Sequence, residues 1–246
     1  MTPRFRLVAG PNGSGKTTLC ERLASEFAVN FYAMLNPDRM FAEASETRKI
    51  AAPLPIGGDE LKSYVDSSSY PNHVLAPFRN GRIALHDGLF QFLDANAVNT
   101  YTVSLIANFI QDRMIASKSS FSQETVFSHP SKVEALRLAK EQGFRTYLYF
   151  VATESPQINA FRVRDRVLKG GHAVPADKIV SRFERSIRNV APAIPYLSRA
   201  FFFDNSGREM RYIASFDEVG GWTLKDSVQS TPKWFFDAVP SALSHP

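Results

Sequence analysis

The stretch from Gly10 to Thr17, GPNGSGKT, satisfies the pattern G-x-x-x-x-G-K-[ST] in full and leaves the chain few ways to fold. It is preceded by RFRLVAG (residues 4–10), which alternates and then runs apolar as a buried parallel strand does. It is followed by KTTLCERLASEF (residues 16–27), which has the composition of a helix. A strand, a Gly-rich turn and a helix in that order aim the turn's N–H groups at one point by the helix N-terminus, where an anion is held. Gly10, Asn12, Gly13, Ser14, Gly15 and Thr18 are therefore expected to bind the phosphates of ATP. Lys16 is expected to reach the β and γ phosphates, and the Thr17 hydroxyl to ligate Mg2+.

Strand and helix signals alternate along the rest of the chain. FYAML (31–35) reads as a second strand, ended by Asn36-Pro37-Asp38, so that an Asp stands at a strand's end. VSLIANFIQDRMIA carries Val103, Ile106, Ile110 and Met114 at helical spacing, and a strand is expected from Ser120 to Phe127. Ser131 and Glu134 form a capping-box pattern before VEALRLAKEQ, Gly143 suits the position past that helix's end, and RTYLYFVA is the next strand. Ser155-Pro156 opens a helix that ends at Gly170-Gly171, Pro175 opens another through about Val190, and RAFFFD is a last core strand. Between Ala51 and Thr100 the pattern weakens, and pieces such as GRIALHDGLFQFLDAN read as short helices.

The expected fold is α/β: a P-loop NTPase, nucleoside-kinase-like three-layer α/β/α sandwich with a mainly parallel central sheet, a helical insertion and an Arg-rich lid. One domain over 1–215 holds the insertion (51–100) and lid-like helices (155–190), and 216–246 forms a C-terminal extension packed on it or trailing from it.

A chain of 246 residues with 44% apolar and 22% charged residues has the balance of a globular protein with a real core. The single cysteine, Cys20, excludes an internal disulfide and a cysteine-based metal cluster. With neither a secretory h-region in MTPRFRLVAG nor a run of about 18 apolar residues, a cytoplasmic protein without a membrane partner is expected. The formal charge of +5 invites a nucleic-acid reading, but much of the excess lies between Arg162 and Arg188, and such a local cluster suits a polyphosphate equally well.

A phosphate loop alone does not choose between motor, GTPase and kinase. No N-K-x-D segment for guanine is present, and the D-x-x-G match at Asp204 to Gly207 reads better as a turn. A kinase needs a base near the acceptor, charge to grip the migrating phosphoryl group, and a cover against water. Asp38, outside a strand's carboxyl end, suits the base, and reads equally well as an Asp closing a turn after Pro37. Glu124 sits in a strand, where a carboxylate needs a partner: an acceptor hydroxyl, Mg2+ through water, or solvent at an edge. Arg162, Arg164, Arg166, Arg182, Arg185 and Arg188 can close over ATP with Gly170-Gly171 as hinge, although any one of them reads first as part of a solvated face. His172 follows that hinge.

The chain resembles the zeta toxin family of P-loop kinases, in particular its compact members. The resemblance rests on LVAGPNGSGKTTL, NPD at 36–38, FSQETVFS at 121–128, RVRDRVLKGGHAVPADKIVSRFERSIRN at 162–189 and FDNS at 203–206, in that order. It implies an ATP-dependent phosphotransferase acting on a hydroxyl of a nucleotide sugar, UDP-N-acetylglucosamine in studied members. Lys16 and Thr17 then serve the ATP and Mg2+ site, and Asp38 is the general base. Glu124, with Thr125 and Ser128 beside it, binds the acceptor. Arg166, with His172 or one of Arg182 and Arg185, grips phosphate, and Asp204-Asn205 borders the adenine. An antitoxin is the partner the family suggests. The competing readings are a P-loop kinase for another small molecule or a polynucleotide end, and a nucleotide-binding module without catalysis.

Overall fold

The protein is described by a computed structural model over residues 2–170 and 174–240. It divides into two compact units, one formed by 1–32 with 122–246 and the other by 33–121. The chain opens with β1 (Arg4–Ala9) and α1 (Lys16–Phe27). It passes into the second unit through β2 (Ala33–Leu35), α2 (Pro37–Thr47), β3 (Lys49–Ala51), α3 (Gly58–Ser67), α4 (Asn72–Arg79), β4 (Ile83–His86), β5 (Leu89–Phe92) and α5 (Thr100–Ala116). The remainder is β6 (Phe121–Thr125), α6 (Ser131–Glu141), β7 (Arg145–Ala152), α7 (Pro156–Leu168), α8 (Ala176–Arg188), the short α9 (Val190–Ala193), β8 (Arg199–Asp204), β9 (Arg211–Asp217), β10 (Gly221–Leu224) and α10 (Lys233–Ala238).

Through the first unit the central sheet runs β10-β9-β8-β7-β1-β6. β1, β7 and β8 are parallel, with Leu7 opposite Leu148 and Phe150 opposite Phe202. β9 and β10 extend the sheet antiparallel. Every residue of β7 after Arg145 is buried, as a strand covered on both faces requires. Its fully buried side chains each contribute roughly 1.5–3 kcal/mol by leaving water, so Leu148→Ala would cost about 2–5 kcal/mol. On one face Val8, Tyr149 and Val151 pack with Leu19 and Leu23 of α1.

Residues 216–246 are part of this unit as far as they are described. β10 pairs with β9, α10 packs on α8, and Trp234 and Phe235 enter an aromatic cluster with Phe150 and Phe202. Among the described residues no helix is long and apolar enough to cross a membrane.

Several local expectations are corrected. GRIALHDGLFQF is a β-hairpin, not helix: β4 and β5 pair antiparallel, and with β3 they form a separate three-stranded sheet in the second unit. The cause is Asp87-Gly88, whose φ values of 47° and 77° suit the left-handed positions of a two-residue hairpin turn. Asn36-Pro37-Asp38 does not merely end a strand. Asn36 caps α2, accepting N–H bonds from Asp38 (3.0 Å) and Arg39 (3.2 Å), with Pro37 in the first helical position. Ser131 does not cap α6, which starts behind Pro130. Its hydroxyl meets His129 Nδ1 (2.9 Å), and Glu134 is held by both ends of the Arg137 guanidinium (2.6 and 2.8 Å), so it is not free to reach back. Gly143 does close that helix, at φ 85°.

Candidate phosphate-binding site

β1 lies between β7 and β6, at the place where the sheet order turns from one side to the other, and ligands of open α/β sheets gather outside the carboxyl end of such a strand. The loop from Gly10 to Gly15 leaves the strand there. Gly10 N–H donates to the Thr125 carbonyl (3.3 Å), tying the loop's start to the end of β6. α1 begins from Gly15 at φ 97°, with no side chain capping it and no acidic residue in its first turn. The positive end of its dipole is therefore left for an external anion.

Two distant asparagines fix the loop. Asn159 of α7, fully buried, donates from Nδ2 to the Asn12 carbonyl (2.6 Å), and its own Oδ1 accepts from Thr153. Asn205, just past β8, donates from Nδ2 to the Ser14 carbonyl (2.8 Å). Both approaches are so close that only glycine fits opposite them. A Cβ on Gly13 (φ 76°) would stand 2.7 Å from the Asn159 carbonyl oxygen, and one on Gly15 would stand 2.4 Å from Asn205 Nδ2. Lys16 lies back along the loop, its ammonium donating to the carbonyls of Gly10 and Pro11 at 3.0 Å each. The Ser14 hydroxyl is fully buried and has no hydrogen-bond partner among the described residues, a donor within the loop that an anion's oxygen would satisfy.

The side chain of Glu124, near the end of β6, faces α1. The Thr17 hydroxyl donates to its carboxylate, 3.4 Å from each oxygen. A hydroxyl and a carboxylate at the mouth of a phosphate loop are hard oxygen donors and fit Mg2+, which keeps waters and phosphate oxygens for its other positions. Among the described residues no group of three or more His, Cys, Asp and Glu gathers to hold a metal by itself. Gln123 beside it is fully buried, and neither atom of its amide has a partner among the described residues. The Thr125 hydroxyl accepts from Phe127 N–H (3.1 Å), and Ser128 is half-buried in the turn that follows. That turn is pinned by α8: the Ser186 hydroxyl donates to the Val126 carbonyl (2.5 Å), and Asn189 Nδ2 to that of Phe127 (2.8 Å).

The other expected residues are distributed as follows. Arg166 stands exposed in the last turn of α7; Arg182, half-buried, and Arg185, exposed, are on α8, which packs against α7. Arg164 lies over the Phe161 ring, and Arg188 pairs with Glu184 (3.1 Å). Gly170 has φ 86°, while His172 and Gly171 lie outside the described residues. Thr18 is exposed on α1. Asp38 belongs to the second unit, exposed in the first turn of α2. Asp204 is buried and accepts from the Trp234 indole and the Ser206 hydroxyl, whereas its neighbour Asn205 touches the phosphate loop directly.

Asn159, Thr153, Ser186 and Asn189 carry no motif that marks them in the sequence. Their partners lie far away in the chain, and the one available signal was weak: an Asn or Ser inside an apolar helix favours other structures unless its side chain has a use.

The sequence pattern of the AAA domain family matches residues 6–191, well over half of the chain. The fold is similar to that in the crystal structure of AvrRxo1-ORF1:-ORF2 with ATP, with a TM-score of 0.56 and 16% identity over 91% of this chain and 61% of that one. It is similar also to AvrRxo1-ORF1:AvrRxo1-ORF2 with sulphate ions, with a TM-score of 0.57 and 15% identity over 92% of this chain and 62% of that one. An uncharacterized protein of Haemophilus influenzae is 32% identical over 63 residues, which are 26% of this chain and 45% of its own. The chain thus spans about three-fifths of the solved relatives and less than half of the curated one. With the loop, most of its central strand and the helix behind it inside the matched segment, the chain belongs to the AAA domain family of P-loop proteins.

Proposed function

We propose that the protein is an ATP-dependent phosphotransferase of the zeta toxin kind, moving the γ-phosphoryl group of ATP to an alcohol of a nucleotide sugar such as UDP-N-acetylglucosamine. The observation that carries the reading is the pairing of the Thr17 hydroxyl with the Glu124 carboxylate beside an uncapped α1. It sets oxygen donors for Mg2+ next to an anion cradle. The AvrRxo1-ORF1:-ORF2 structure, which shares the fold, was obtained with ATP, and this supports the same ligand here. That structure is of a complex, which supports a protein partner for this chain as well; the resemblance suggests an antitoxin.

The main-chain N–H groups around Gly13 to Thr17 receive the phosphate oxygens, and Lys16 exchanges the Gly10 and Pro11 carbonyls for the β and γ phosphates. Thr17 and Glu124 would hold Mg2+ between them. Bound there, the metal would neutralise charge on the β and γ oxygens. Arg166, with Arg182 or Arg185, grips the migrating group, a task suited to the guanidinium fork. Asp38 is assigned the acceptor's proton from the resemblance. The acceptor oxygen bonds to the γ-phosphorus as the bond to the β–γ bridging oxygen breaks, and ADP leaves. Glu124 is thereby moved from the acceptor to the metal, while Thr125 and Ser128 stay with the acceptor.

The test is ADP formation with and without UDP-N-acetylglucosamine, followed by mass analysis of the sugar nucleotide for one added phosphate. Acceptor-dependent ADP and the added mass are expected. Bound ATP with no acceptor-dependent turnover would leave a nucleotide-binding module instead. Asp38→Asn should bind ATP as the native chain does and transfer roughly 100-fold or more slowly; unchanged transfer would remove the assigned base.

A further inference from the structure

α10 is remote in sequence from the phosphate loop, yet two side-chain hydrogen bonds, carried by the adjacent residues Asp204 and Asn205, join them. The Trp234 indole N–H donates to Asp204 Oδ1 (3.1 Å), in a contact where Trp234 is 4% and Asp204 3% exposed. The same oxygen accepts the Ser206 hydroxyl (2.7 Å), which itself accepts Glu154 N–H (2.8 Å). Between the two, Asn205 donates its own N–H to the Ala152 carbonyl (2.8 Å) and its side-chain amide to Ser14 in the loop (2.8 Å). Asp204 is a carboxylate out of water. Its remaining support is Ser206 N–H at 3.4 Å and Arg211 at 3.7 Å, both long. Removing the indole donor leaves a buried acceptor short of a partner, and relief comes by relaxing the turn that carries Asn205.

We infer that Trp234 is a positioning residue for the phosphate loop, acting through Asp204 and Asn205: α10 sets how tightly the loop is held and so how well it binds a nucleoside triphosphate. The ligand in this statement rests on the ATP reading above; the mechanical link does not. The effect of Trp234 falls on triphosphate affinity because the Ser14 carbonyl is fixed by Asn205 alone among the side chains described.

The experiment compares Trp234→Phe, which keeps an aromatic ring and loses the donor, with Asn205→Ala and the double variant. ATP binding by calorimetry is expected to weaken about three- to tenfold in each single variant, the scale of one hydrogen bond, and the double variant should bind no worse than Asn205→Ala. Additive losses, or native affinity in Trp234→Phe, overturn the link. Amide exchange in the ligand-free protein supplies a second readout: Ser14, Gly15 and Lys16 should exchange about three- to tenfold faster in Trp234→Phe. A purely packing role for Trp234 would lower Tm and leave both readouts unchanged. Should Trp234→Phe fail to fold, Asp204→Asn keeps the ring packing, weakens the acceptor, and is expected to show the same non-additivity with Asn205→Ala. If the native chain binds no ATP while loop exchange still responds to Trp234, the nucleotide reading fails and the link stands.

Discussion

The two units differ in how they begin their helices. In the second, the chain serves three of four helix starts itself: Asn36 accepts two N–H groups of α2, Asn99 accepts two of α5, and the Glu60 carboxylate returns to Gly57 N–H (3.0 Å) ahead of α3, while α4 alone starts behind a proline, Pro71, without a side-chain cap. In the first, α6, α7 and α8 start at Pro130, Pro156 and Pro175 without a side-chain cap, and α1 starts from a left-handed glycine with none either. A capped terminus adds stability and closes a potential anion site; an uncapped one gives up that stability and keeps the site open. The lesson is that a phosphate site is recognised as much by the cap that is missing as by the glycines that are present.

The contrast can be broken at several points. The largest expected effect is that of Lys16→Ala, which removes the only side-chain cation inside the loop motif and should lower turnover roughly 1,000-fold; ADP release measured at saturating acceptor reads it. Next comes Gly15→Ala, which forces a Cβ against Asn205 at a left-handed φ. A cost of about 1–2 kcal/mol is expected, visible in denaturant unfolding together with weaker ATP binding. Asn36→Ala should cost about 1 kcal/mol of stability with ATP affinity intact. Were Asn36→Ala to weaken ATP binding as Gly15→Ala does, the division between open and closed helix starts would fall.

The smallest effect concerns acid. Gly57 N–H and, second, the Arg113 guanidinium hold the Glu60 carboxyl below its usual range. A carboxyl lowered in the folded state stabilises at pH values above its unfolded pKa, and that stabilisation disappears as pH falls through the folded value. Glu60→Gln should therefore lower Tm slightly at neutral pH and leave it unchanged well below about pH 4.3, the ordinary glutamate value, which flattens the acid side of the profile; the loss is small because the pair with Arg113 is partly exposed.

Legibility in the sequence followed the range of the interactions. α1, β7 and β8 lie where local pattern places them, since a run such as RTYLYFVA carries its burial in its composition. The hairpin at Ile83–Phe92 reads as helix from pattern alone because six apolar residues in ten satisfy a helix as readily as two short strands, and only Asp87-Gly88 signals the turn. In the candidate site, Gly10 to Thr17 announced itself. The clamp on it did not: Asn159 and Asn205 sit 147 and 191 residues from their carbonyl partners, and nothing near either one says so.

Those separations have a consequence for biosynthesis. The loop leaves the ribosome well before β7, which pairs with β1, and before the two amides that shape the loop, all of which come more than 130 residues later. Until they do, the segment is a glycine-rich tether without its shape, and competence to hold a triphosphate is acquired only once Asn205 has emerged.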